Sequence, residues 1–228
     1  MPLILNIETA TEVCSVCISK GKEIVSLSET TENHAHARMI TLLIQQCLEM
    51  ANMTMPDLEA VAVSQGPGSY TGLRVGSSAA KGICYALDKP LIAIDTLQSL
   101  ALATSLKEKQ NALYCPMIDA RRMEVYCAFY NKENMLVTKT HSQVIDEGTY
   151  ENYFASEKKI IFSGNGAAKC KTVIKSPFAS FSPIVCSSMH LAPLSLKTFL
   201  ERAFSDPAYF TPNYHKAPNI TIPKNKDI

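Results

Sequence analysis

Tryptophan is absent from the 228 residues, aromatic residues make up only 7%, and the formal charge is only +1. A balance of 22 Lys and Arg against 21 Asp and Glu excludes a chain that holds nucleic acid by bulk charge alone, because such chains carry a marked basic excess. No apolar run reaches the roughly 18 residues that a membrane-crossing helix needs. The start of the chain lacks a basic segment and soon reaches an acid at Glu8, so it reads as a first strand rather than a secretion signal. A cytoplasmic location is expected, with no membrane contact. Eight cysteines in this length do not make a disulfide framework. Cys14-Ser15-Val16-Cys17 has C-x-x-C spacing, but in an alternating strand positions three apart face opposite sides. The cysteines therefore read as reduced, small apolar residues. His34 and His36 are two apart and share no helix face, no nucleophile elbow exists, and no metal site is expected.

What the chain does have is an internal repeat. Each half opens with an apolar strand that ends in an acid, Glu8 or Asp119. A hairpin follows, and its second turn leads to a strand from Ile24 or from Met135. Glu8 to Asp119 and Ile24 to Met135 are both 111 residues apart, which aligns Ile7 with Ile118 and Val16 with Cys127. Later an apolar strand runs into serine and glycine twice, at 60–66 and at 160–164. Each half reads as βββαβα, with helices at 36–52, 71–87 and 96–105, the last capped by Thr96, and near 146–154, 165–174 and 188–203. The polar stretch 104–112 separates the halves, giving lobes 1–106 and 107–228. The proline-rich segment after Asp206 reads as extended and loosely held. In this superfamily the final helix can cross back to the first lobe. The fold class is α/β, two duplicated βββαβα lobes of the actin/sugar-kinase/Hsp70 (ASKHA) type. In that plan two acidic hairpins and a glycine turn surround a nucleotide.

Glu8, Thr9, Asp119 and Arg121 occupy the two phosphate-loop positions, and Gly164, Asn165 and Gly166 the adenosine position. The first hairpin loop lacks glycine, and Arg121 or Arg122 is placed to pair with Glu8 and fill the space. The run 64–76, Ser-Gln-Gly-Pro-Gly-Ser-Tyr-Thr-Gly-Leu-Arg-Val-Gly, is not a P-loop, since no Gly-Lys-Ser/Thr follows. It reads as a packing turn. The cleft reads as degenerate, with no catalytic residues.

The helix at 36–52 carries more apolar surface than one core face needs. Ile40, Leu43, Ile44, Cys47 and Ala51 form one stripe, and Ala35, Met39, Leu42, Gln46 and Met50 an adjacent one. In the helix at 71–87, Gly72, Gly76, Ala79 and Ile83 form a row of mostly small residues that admits a close neighbour, and Arg74 lies on a polar stripe beside it. These two helices are expected to make a helical protein–protein contact.

Taken in order, residues 4–10, 66–74, 119–126 and 164–167 resemble the TsaB (YeaZ) family over nearly the whole chain. The resemblance implies a non-catalytic subunit, similar in fold to TsaD, the enzyme that joins a threonylcarbamoyl group to an adenosine next to the anticodon of tRNA. It implies binding to a TsaD-like enzyme through the N-terminal lobe helices, with a TsaE-like ATPase as a further partner and homodimers in isolation. It further implies tRNA contact only through the complex, no cofactor of its own, and ATP only at an interface with a partner. Glu8 departs from the aspartate usual in the family. An ATP-dependent ASKHA enzyme is the alternative reading, and a peptidase-like hydrolase ranks last.

Overall fold

The computed structural model describes residues 1–32 and 36–216. Chain order is β1 (Leu3–Glu8), β2 (Cys14–Lys20), β3 (Glu23–Thr30), α1 (His36–Ala51), β4 (Ala60–Gly66), α2 (Tyr70–Leu87), β5 (Leu91–Asp95) and α3 (Thr96–Glu108). The second half continues with β6 (Leu113–Asp119), β7 (Glu124–Cys127), β8 (His141–Val144), α4 (Glu151–Phe154), β9 (Ile160–Ser163), α5 (Asn165–Cys170), β10 (Ala179–Phe181) and α6 (Ala192–Glu201).

The two sheets have one topology. The first runs β3-β2-β1-β4-β5 and the second β10-β9-β6-β7-β8, each with an antiparallel three-strand half and a parallel three-strand half. α1 and α2 cover one face of the first sheet, where Ile40, Leu43, Ile44 and Cys47 meet Leu5, Ile7, Val16, Val61 and Val63. The helices that end the two halves cross over. Leu97, Leu100 and Ala101 of α3 pack on Tyr114, Ile118 and Ile161 of the second sheet. Leu191 and Leu194, at the start of α6, pack on Ile4, Ala60, Ala62 and Ile92 of the first. The final helix thus does return to the first lobe.

The core faces revise the repeat by one residue. Leu5 and Ile7 point toward α1 and α2, and their counterparts facing α5 are Cys115 and Met117. Ile7 therefore corresponds to Met117, an offset of one less than that of Val16 and Cys127. The ladders agree, pairing Ile7 with Val16 and Met117 with Cys127. Because strand side chains alternate, a one-residue slip reverses which side a residue faces. The counterpart of Asp119 is then Thr9, not Glu8.

Other sequence expectations change locally. The cap of α3 is Asp95, whose Oδ1 accepts from Gln98 N–H at 2.8 Å, rather than Thr96. The strand expected from Met135 is instead His141–Val144. Residues 131–138 fold back irregularly on Phe129 and Tyr130, just past β7, with Phe129 N–H donating to Thr138 Oγ1 instead of entering a ladder. The second-half helices are shorter than predicted: Glu151–Phe154, Asn165–Cys170, and a single 3-10 turn at Ser188–His190 before α6, which has proline in its first turn. After Asp206 the chain makes a turn at 207–209 and then, from 210 to 216, runs without regular structure but bonded to both halves rather than loosely held. The rest of the proline-rich segment lies outside the described residues.

Candidate functional site

Two surfaces compete for the role of functional site. One is the cleft where the strand ends of both sheets meet, and the other is the outer side of α1 and α2.

The cleft begins at the end of β1. Glu8 points to the side covered by the chain leading into α6 and is fully buried. Its Oε1 accepts from Ala10 N–H at 2.7 Å, and its Oε2 has no hydrogen-bond partner among the described residues. Burial pushes its carboxyl up to about 7, opposed by the Ala10 N–H. A carboxyl in this state is half neutral near physiological pH, unlike the charged acid that holds a metal-bound phosphate. Neither Arg121 nor Arg122 pairs with it, because both are exposed and stand in left-handed backbone, φ 74° and 49°.

The next loop is sealed by the glycine run. Ser69 N–H donates to Ala10 O at 2.7 Å, and Ser69 Oγ caps α2 by accepting from Gly72 N–H at 3.2 Å. A Cβ at Gly72 would strike Thr9 O, one at Gly76 would strike Thr9 Oγ1, and one at Gly68 would lie 2.5 Å from Ala10 O. The glycines admit the β1–β2 loop of the same chain, so the run is a packing turn. Gly72 and Gly76 are therefore buried within the chain and offer no surface to a partner helix, which corrects the expected contact row. Ala79 and Ile83 are half-buried against the same core.

Across the cleft, Asp119 is exposed and forms an ion pair with Lys169 of α5. Its own backbone N–H donates to Asn165 Oδ1 at 3.0 Å, and its Oδ1 accepts from Arg121 N–H at 2.7 Å. Asn165 Nδ2 donates to Glu12 Oε2 at 2.7 Å, so one amide joins the glycine turn to both hairpins. Gly164, φ 93°, lies so close to Met117 O that a side chain would collide, and Gly166 packs on the same strand. Asp119, Asn165, Glu12 and Lys169 thus satisfy one another, whereas Glu8 Oε2 and Thr9 Oγ1 are buried without a partner among the described residues. Among the described residues no group of three or more His, Cys, Asp or Glu is arranged to hold a metal ion.

The outer face of α1 is different. Leu42 and Met50 are 47% and 54% exposed, and they lie two turns apart on one face. Met39 is half-buried beside them, and Gln46 is exposed, its Oε1 accepting from Ser28 Oγ at 2.7 Å. Ala35 lies outside the described residues. On α2, which packs beside α1, Arg74 is exposed with its guanidinium 4.5 Å above the Tyr70 ring, and Tyr85 is 90% exposed. Tyr85 was legible in the sequence as an aromatic on the polar stripe with Arg74.

One constellation was invisible in the sequence. The β7–β8 register sets Cys127 opposite His141, with Sγ 3.8 Å from Nε2, and His141 Nδ1 is held by Lys139 O at 2.9 Å. The thiol is held down to about 7, by Cys115 and by the His141 ring, whereas burial pushes its seven fellow cysteines up. Cys127 is fully buried and opens on neither surface.

Residues 28–221 match the family model described as "TsaD: tRNA N6-adenosine threonylcarbamoyltransferase". The tRNA threonylcarbamoyladenosine biosynthesis protein TsaB of Buchnera aphidicola subsp. Schizaphis graminum is 33% identical over 172 residues, 74% of this chain and 81% of that one. A Pseudomonas aeruginosa structure, described as similar to peptidase YeaZ, superposes with a TM-score of 0.81 at 22% identity, covering 95% of this chain and 100% of that one. The activator of the 2-hydroxyisocaproyl-CoA dehydratase from Clostridium difficile, solved with bound ADPNP, shares the fold at a TM-score of 0.54 and 8% identity, over 88% and 97% of the two chains.

Proposed function

The chain belongs to the TsaB (YeaZ) family, and on that footing we propose that it serves threonylcarbamoyladenosine synthesis on tRNA as a non-catalytic scaffold that docks and supports a TsaD-type enzyme. The observation that carries this reading is the uncovered apolar stripe of α1, Leu42 and Met50 flanked by half-buried Met39, next to α2. Leu42 and Met50 are each about half exposed, so covering the remainder stabilises a complex by about 1 kcal/mol apiece. The second half's side of the cleft supports the same reading, because Asp119, Lys169, Asn165 and Glu12 are engaged with one another and the glycines are packed on neighbouring backbone. In this proposal the chain has no cofactor of its own, ATP binds only where a partner completes the site, and tRNA is met through the complex. A TsaE-like ATPase joins the assembly. Without its partner the chain pairs with a second copy through the same helices, and the whole operates in the cytoplasm.

Reconstitution tests the proposal. The chain, a TsaD-type enzyme, a TsaE-like ATPase, ATP and a donor of the threonylcarbamoyl group are mixed with tRNA, and modified nucleoside is quantified. Modification should require the chain, and the chain alone should hydrolyse no Mg-ATP. Robust hydrolysis by the isolated chain would instead promote the ATP-dependent enzyme reading.

A further inference from the structure

We propose that residues 206–216 form an internal strap that ties the two halves together across the open ends of their sheets. A turn at the base, closed by Phe210 N–H on Asp206 O at 2.9 Å, sets Phe210 into the core under α1 and α2. Lys81 of α2 fastens this turn by donating to Phe210 O at 3.1 Å. The chain then runs over the end of β4. There the β4–β5 ladder shifts register between Ser64 and Gly66, and Asn213 N–H donates to Gln65 O at 2.7 Å. A bulge leaves a backbone group outside the ladder, and the strap supplies a partner for it. Gly66 makes room: its φ is 110°, and a Cβ there would lie 2.6 Å from Asn213 O. Tyr214 then packs tilted against Tyr70, with ring centres 4.6 Å apart and planes at 46°.

The next two residues reach the other half. The His215 ring lies 5.9 Å from that of Tyr126, and Lys216 forms an ion pair with Glu124, both on β7. The Lys216 ammonium holds the Glu124 carboxyl below the usual carboxylate range. One short segment is thus bonded to β4 and α2 at one end and to β7 at the other. The bulge, the left-handed Gly66 and the Tyr70 ring, which the nucleotide reading left without a role, all serve its passage.

The test uses amide hydrogen exchange of the full chain. Lys216→Ala and Glu124→Gln cut the strap only at β7. Each should speed exchange of the amides at 65–71, in the other half, by about two- to fivefold, the scale of a partly exposed ion pair, and leave α1 unchanged. The swap of Glu124→Lys with Lys216→Glu should restore protection. Tyr214→Ala, cutting at the opposite end, should speed exchange at 124–127. If the anchors can be removed at β7 without altering exchange at 65–71, or if the charge swap fails to restore it, the strap does not couple the halves.

Discussion

Two glycines of α2 should answer the same substitution with opposite signs. Gly82 is exposed and a Cβ built on it meets nothing within 4 Å. Replacing a helix-interior glycine with alanine then yields only the propensity gain, about 1 kcal/mol. For a domain of this size that gain raises the melting temperature by about 2–4 °C. Gly72 receives the same propensity gain, but its Cβ would collide with the Thr9 carbonyl. That oxygen is backbone in a loop fixed on both sides, by Ala10 N–H on Glu8 and by Ser69 N–H on Ala10 O. Overpacking of this kind costs about 1–3 kcal/mol, and a backbone neighbour puts it at the upper end. The net for Gly72→Ala is a loss of about 2 kcal/mol after the propensity gain. Gly76→Ala should fall between the two, since it meets the Thr9 hydroxyl, which can rotate. Urea denaturation of the three variants measures all of this. If Gly72→Ala matches or exceeds wild type in stability, the loop does not rest on the glycine row and the explanation of the sealed cleft fails.

Glu8 should make stability fall as pH rises. Its folded value, about 7, exceeds the ordinary 4.5, so the native state binds more protons than the unfolded one between those values. The stabilisation is complete below about pH 4.5 and is lost through pH 7, a change of about 3 kcal/mol. Glu8→Gln should flatten that slope in denaturation curves taken from pH 5 to 8, and an unchanged slope would assign it to other groups. Leu191→Ala should cost about 2–5 kcal/mol by opening a cavity under the first sheet. Its exchange signature should appear in β1 and β4, with β6 and β9 spared, because the segment packs on the half it does not belong to in sequence.

Much of this was legible beforehand. The apolar spacing of Ile40, Leu43, Ile44 and Cys47 marks α1 and its buried face, and the strand runs ending in Glu8 and Asp119 mark the duplicated sheets. The pairing of those two acids was not legible. From Ile7 to Val16 the chain is one residue shorter than from Met117 to Cys127, and a fixed offset cannot see a slip that reverses side-chain direction. The glycine row announced close approach, but not of what: the neighbour is Thr9, some 60 residues away in sequence and adjacent only because β1 lies beside β4. Likewise Leu191 and Leu194 read as core without saying whose. In the second half, helices shortened because turns and extended chain satisfied backbone groups that periodicity alone assigned to helices. The strap was hidden because proline content announces extension and carries no information about what the extended chain touches.

If α1 with α2 is the working surface and the cleft is not, calorimetry of the purified chain with a TsaD-type enzyme will separate the two. Leu42→Glu with Met50→Glu should weaken binding about 100-fold or more, since two apolar anchors are replaced by charges, while the melting temperature stays near wild type. Asn165→Ala, which cuts the cleft's own bridge, should leave affinity unchanged. Undiminished binding by the α1 variant, or loss of binding on cutting the cleft bridge, would move the docking surface away from α1.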